Sequence, residues 1–223
     1  MAETTAWLEA GTAYFAGRLA GADLDHDSAL PGWTRRHVVA HVAANARALG
    51  RLVHWARTGD ETPMYASRRA RDDEIEELAK LAPAALTELA GRTAAELRDA
   101  LAALPAPRWQ ARVRTAQGRE VPATEIVWMR CREVWIHGVD LATGGTYDDF
   151  PPAMVDALLT DVTGLWERDG DPAGLTLAPD DRDTVWRAGS GAAEVRGSAA
   201  ELAAWVTGRG PAPHGAPEIG RWL

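Results

Sequence analysis

Two stretches of this chain repeat apolar residues at helical spacing, and both carry imidazole or carboxylate groups in the middle of the apolar stripe. The first runs from the helix-capping Thr34 to about Thr58, with His37, Val38, His41, Val42, Asn45, Leu49, Leu52 and Val53 on one face. The second follows Thr124, read as its N-cap. It turns Ile126, Val127, Met129, Arg130, Glu133, Val134, His137 and Leu141 inward, and Gly144-Gly145 is expected to end it. Residues four apart share one helical face, so Glu133 and His137 point the same way, about 6 Å apart along the axis. A carboxylate on a face that should be buried is costly unless something compensates its charge.

A Glu and a His at this spacing often form an exposed hydrogen-bonded pair, but the apolar stripe argues for metal ligation. The third ligand has to come from another helix, where His41 sits mid-stripe. His37, one turn earlier, competes for that role; its other reading is a helix-start histidine. His26, His54 and His214 lie in or beside polar segments and are expected in solvent. A His-Glu-His set with an open fourth position is characteristic of catalytic zinc, and it favours zinc over calcium or magnesium.

The rest of the chain completes a helical plan. Trp7, Leu8, Gly11, Tyr14, Phe15 and Leu19 mark a first helix over about Thr5 to Leu19. After a loop holding Pro63-Met64-Tyr65, a third helical region begins near Arg69. It is interrupted by Pro83 and continues to about Leu104. A polar hairpin is expected from Trp109–Arg114 and Arg119–Val121, turning at Gln117-Gly118. Beyond Thr146 the pattern changes. One helix runs to Glu167, short strands are expected at Gly174–Ala178, Asp183–Arg187 and Ala193–Arg196, and Ser198 caps a last helix ahead of Gly208 and the tail at Trp222-Leu223. The expected fold is therefore mostly α, with four helices in residues 1–147 and a small α+β domain in residues 148–223.

Several function classes are disfavoured. The 223 residues carry a formal net charge of −8, and no dense Lys/Arg run offers the basic stripe that a nucleic acid requires. The arginines of Arg68–Glu74 are followed directly by three acids and read as a solvated helix start. No stretch approaches the ~20 apolar residues of a membrane span, and the amino terminus lacks a secretory pattern, so a cytosolic protein is expected. The one cysteine, Cys131, excludes an intramolecular disulfide.

Leu30-Pro31-Gly32-Trp33-Thr34-Arg35-Arg36-His37-Val38-Val39-Ala40-His41-Val42-Ala43 resembles the signature of the mycothiol-dependent maleylpyruvate isomerase family, whose N-terminal domain is a DinB-like four-helix bundle. Pro63-Met64-Tyr65, the run Trp128–Leu141 and Trp205-Val206-Thr207-Gly208-Arg209 fit the same family in the same order. The resemblance implies a metal held by His41, Glu133 and His137, the three residues that the helix faces select. It also implies arginines gripping an anionic substrate, at positions Arg71 and Arg209, for which a guanidinium is well shaped. Asn45 and Asp140 are candidates to orient the ligands by hydrogen bonds.

The resemblance further implies zinc as the metal and mycothiol as an external thiol that the metal activates. Cys131 is a poor substitute, since it lies about 200° around the helix from Glu133. With maleylpyruvate, thiolate addition, bond rotation and thiolate loss would yield the trans isomer. An S-transferase that leaves the thiol on an electrophile fits the same machinery. A non-catalytic thiol- or metal-binding protein is the third reading, and the open coordination position argues against it.

Overall fold

The computed structural model describes residues 1–169 and 174–219 and divides the chain into two compact units, the first ending at Gly145 and the second beginning at Thr146. The tail at Trp222-Leu223 lies outside the described residues.

The first unit contains helices α1 (Ala2–Leu19), α2 (Arg35–Thr58), α3 (Arg68–Ala79), α4 (Pro83–Ala102) and α5 (Glu125–Asp140). Helices α1, α2, α4 and α5 form the bundle: α1 packs on α5, while α2 packs on both α4 and α5. Helix α3 lies against α2. Leu49, Leu52 and Val53 of α2 meet Leu97 and Leu101 of α4 and Ile126 and Val127 of α5 in one core cluster, as the apolar stripes require. The third helical region differs from expectation. Pro83 does not bend one helix but starts a new one, occupying the first turn, where its missing N–H has no partner to lose.

Other boundaries moved too. Trp109 and Gln110 belong to a 3-10 turn (Ala106–Gln110), so the hairpin is shorter: β1 (Arg112–Arg114) pairs antiparallel with β2 (Glu120–Pro122). Its inward Val113 is fully buried in the helical core cluster. Thr124 precedes α5 without a side-chain cap hydrogen bond. That helix ends at Asp140, ahead of Gly144-Gly145, because Ala142 takes a left-handed φ of 53°. Arg35 holds this exit, donating from Nε to Leu141 O at 2.7 Å and from Nη2 to Ala142 O at 3.0 Å.

In the second unit, α6 (Pro152–Asp169) and α7 (Ala199–Val206) accompany a three-stranded sheet in the order β4-β3-β5. The central strand β3 (Leu175–Pro179) is buried throughout, pairing antiparallel with β4 (Trp186–Ala188) and parallel with β5 (Ala193–Gly197). The expected strand at Asp183–Arg187 starts later, at Trp186. Ser198 caps α7 as expected: its Oγ accepts from Glu201 N at 3.1 Å, and Glu201 Oε2 accepts from Ser198 N at 2.8 Å.

Candidate metal centre

Helices α2 and α5 bring His41, Glu133 and His137 to one point. Their ligand atoms all lie within 4.8 Å of one another. Glu133 Oε2 is 2.9 Å from His41 Nε2 and 3.1 Å from His137 Nε2. The imidazoles stand edge to face, with centroids 4.7 Å apart. An ion about 2.1 Å from each of three tetrahedral ligands sets them roughly 3.4 Å apart, close to these separations. Two imidazoles and a carboxylate, both histidines buried, are donors suited to zinc.

Each imidazole has a partner on its other nitrogen. His137 Nδ1 donates to Asp140 Oδ2 at 2.8 Å, and this carboxylate is fully buried. The bond leaves Nε2 turned toward Glu133, the usual support for a metal-binding histidine. Arg71 Nη2 lies 3.4 Å from His41 Nδ1, while Nη1 donates to Asp72 at 2.8 Å. The N-terminal unit thus brings Arg71 to the ligand cluster. Arg209 belongs to the other unit, just past α7, where its Nη1 donates to Thr207 O at 2.6 Å.

Charge at the site is strongly redistributed. Burial opposes the anion of Glu133, but His41 and His137 hold it well below the usual carboxylate range. Burial lowers His41 despite the attraction of Glu133. Burial also opposes charging of His137, yet the bonds to Asp140 and Glu133 raise it to about 9. In the metal-free protein, the proton of the cluster therefore resides on His137.

The competing histidine is resolved. His37 accepts the Thr34 backbone N–H on Nδ1 at 3.1 Å, with its Nε2 3.6 Å from Glu76, so it serves the start of α2 rather than the cluster. Of the two expected orienting residues, Asp140 contacts His137 of the candidate ligand set. Asn45 instead accepts from Arg130 Nη1 at 2.9 Å, and the same nitrogen donates to Val42 O at 2.7 Å. Arg130 was on the inward stripe, three residues before Glu133, but nothing in the pattern indicated a wholly buried guanidinium tying α5 to α2. Trp33, in the Leu-Pro-Gly-Trp run, was likewise unassigned; its ring lies 5.8 Å from that of His41. Cys131 is buried, and burial pushes its thiol up to about 12.

A helical bundle presenting two imidazoles and a carboxylate from facing helices defines a class of helical protein with a candidate three-ligand metal site. The model of the mycothiol maleylpyruvate isomerase N-terminal domain matches residues 7–142, and that of the family's C-terminal domain matches residues 149–220. The chain belongs to the mycothiol maleylpyruvate isomerase family. It is similar to the crystal structure of the mycothiol-dependent maleylpyruvate isomerase, with 40% identity, a TM-score of 0.93, and coverage of 99% of this chain and 96% of that one. A histidine-to-alanine mutant of the mycothiol-dependent maleylpyruvate isomerase matches at 39% identity and a TM-score of 0.89, covering 95% of each chain. No curated protein matches the chain.

Proposed function

We propose that this protein is a mycothiol-dependent maleylpyruvate isomerase. The observation that carries the reading is the full-length likeness to that isomerase at 40% identity, and the His41–Glu133–His137 cluster supports it with a site of matching chemistry. These three residues would hold zinc, which supplies one thing: a thiol placed on it loses its proton near neutral pH.

The chain's own groups do the rest. Asp140 fixes the tautomer of His137, and Glu133 enters as an anion. Arg71, beside His41 and partly exposed, would grip a substrate carboxylate through two parallel hydrogen bonds. Arg209 is proposed as a second carboxylate-binding arginine, carried by the C-terminal unit. Cys131 is buried and keeps its proton, so the reacting thiol comes from outside the chain. The net charge of −8 supports a small-molecule substrate rather than nucleic acid. No described helix is long and apolar enough to cross a membrane, and dependence on a reduced low-molecular-weight thiol supports a cytosolic reading.

The test mixes zinc-loaded protein with mycothiol and maleylpyruvate and follows both the substrate absorbance and the free thiol. Turnover with the thiol unconsumed is expected. Stoichiometric thiol loss with a stable adduct would make the protein an S-transferase instead, and absence of any turnover would defeat the reading. Arg209→Ala should raise KM for substrate without changing metal content; an unchanged KM and rate would remove Arg209 from the proposal.

A further inference from the structure

Helices α2 and α5 meet in successive rungs, and one polar rung beside the ligands has no part in the chemistry proposed above. Glu133 Oε2 meets His41 Nε2 at 2.9 Å. Four residues on along α2 and three back along α5, Asn45 Oδ1 accepts from Arg130 Nη1, also at 2.9 Å. The same nitrogen donates at 2.7 Å to the carbonyl of Val42, the residue that follows His41. A further turn along reaches Leu49 and Ile126, both fully buried in the shared core cluster. By the rise of an α-helix, the Arg130 rung stands about 4.5–6 Å along the axes from the ligand contact.

A guanidinium is a costly choice for that position. Arg130 is 2% exposed and Asn45 4%, and both acceptors of the guanidinium are neutral. Replacing buried ionic groups with apolar residues of similar volume is often neutral or stabilising, so stability does not explain the rung. What it adds is direction. A hydrogen bond fixes a length and an angle, whereas apolar side chains can slide against one another. Of the candidate ligands, His41 alone is on α2, while Glu133 and His137 share α5. Closure of the cluster therefore depends on how α2 is set against α5.

We infer that Arg130 is a positioning residue for the metal centre, which through Val42 and Asn45 fixes α2 in the register that brings His41 to Glu133. The inference rests on zinc being held by this cluster. Arg130 is not one of the ligands and acts through His41. Its own helix already sets Glu133 beside His137, so the tie changes nothing within that pair. It governs the third ligand. Donors held in place before the ion arrives lose less freedom when it binds, and the affinity is higher for it. Without the rung, Glu133 and His137 keep their spacing while His41 can drift out of reach.

The test is the double variant Arg130→Met with Asn45→Leu, which removes both halves of the rung and leaves no amide without its partner. Zinc affinity, read by competition with a chromophoric chelator, is expected to fall about 10–100-fold. The thermal midpoint of the metal-free protein is expected to hold or rise. Asn45→Asp keeps an acceptor for Arg130 and should hold zinc affinity at or above the wild-type level. Wild-type affinity in the double variant would overturn the inference. So would a loss of affinity that tracks a lower metal-free midpoint, since the rung would then be structural support only, or an equal loss in Asn45→Asp. A wild-type protein that takes up no zinc would instead defeat the metal-centre reading itself, which separates the two failures.

Discussion

The carboxylate of Asp140, wholly buried, accepts a hydrogen bond from His137 Nδ1 at 2.8 Å and thereby presents the opposite ring nitrogen to Glu133. The contact joins residues three apart on α5, so one helical turn supplies a candidate ligand and the group that orients it. Replacing Asp140 with Asn removes the anion but keeps the shape. Zinc affinity should fall by about 10–100-fold, measured by competition with a chromophoric chelator while circular dichroism stays unchanged.

The ligands themselves should behave differently from their support. His41→Ala and His137→Ala are each expected to leave the purified protein without stoichiometric zinc by elemental analysis. Glu133→Gln should bind more weakly with its fold intact, because the amide lacks the anionic oxygen that both imidazoles share. Full zinc retention in either histidine variant would remove that residue from the site.

Metal uptake should release a proton at neutral pH. His137 in the metal-free protein is raised to about 9, and a protonated imidazole cannot ligate. Zinc affinity is therefore expected to climb with pH by up to tenfold per unit and to level off above about 9. Calorimetry in buffers of different ionisation enthalpy reads the released proton directly. The sign for stability is the opposite: because the folded value lies above the unfolded value of about 6.5, the contribution of His137 to the metal-free fold is full below that pH. It is lost as pH rises through about 9.

Close packing beside the ligand leaves no room for a methyl group. A Cβ on Gly138 would stand 2.5 Å from Tyr14 Cε1, and that ring is stacked on Trp135 at 4.7 Å. Gly138→Ala should cost roughly 1–3 kcal/mol by overpacking the α1–α5 contact, measured by denaturant unfolding. An unchanged midpoint would mean that Tyr14 swings aside freely.

Cys131 should be silent until the protein unfolds. Its thiol is buried and raised to about 12, so a thiol reagent at pH 8 is expected to titrate none in the native state and one per chain in denaturant. Cys131→Ala should support turnover with added mycothiol at close to the wild-type rate.

Most helices could be read from the chain because their cause is local. Val38, His41, Asn45, Leu49 and Leu52 repeat at the helical period, and Ser198 with Glu201 forms a capping box within one turn. Pro83 was more ambiguous, since a proline at that spacing suits either a kink or the first turn of a new helix. The choice fell to the packing of α3 and α4 against α2. Tyr65 carried no periodic signal at all: loop residues acquire their surroundings from elements remote in sequence.

What the chain determined unaided was the set of donors and the faces that carry them, because side-chain direction on a helix follows from 3.6 residues per turn. That placed Glu133 beside His137 before any fold was known. The tertiary structure alone decided that His41, Glu133 and His137 converge on one point, and that Arg130 spans to Asn45 and Val42. Those outcomes depend on the rotation and rise of α2 relative to α5, which interlocking cores set and no single helix encodes.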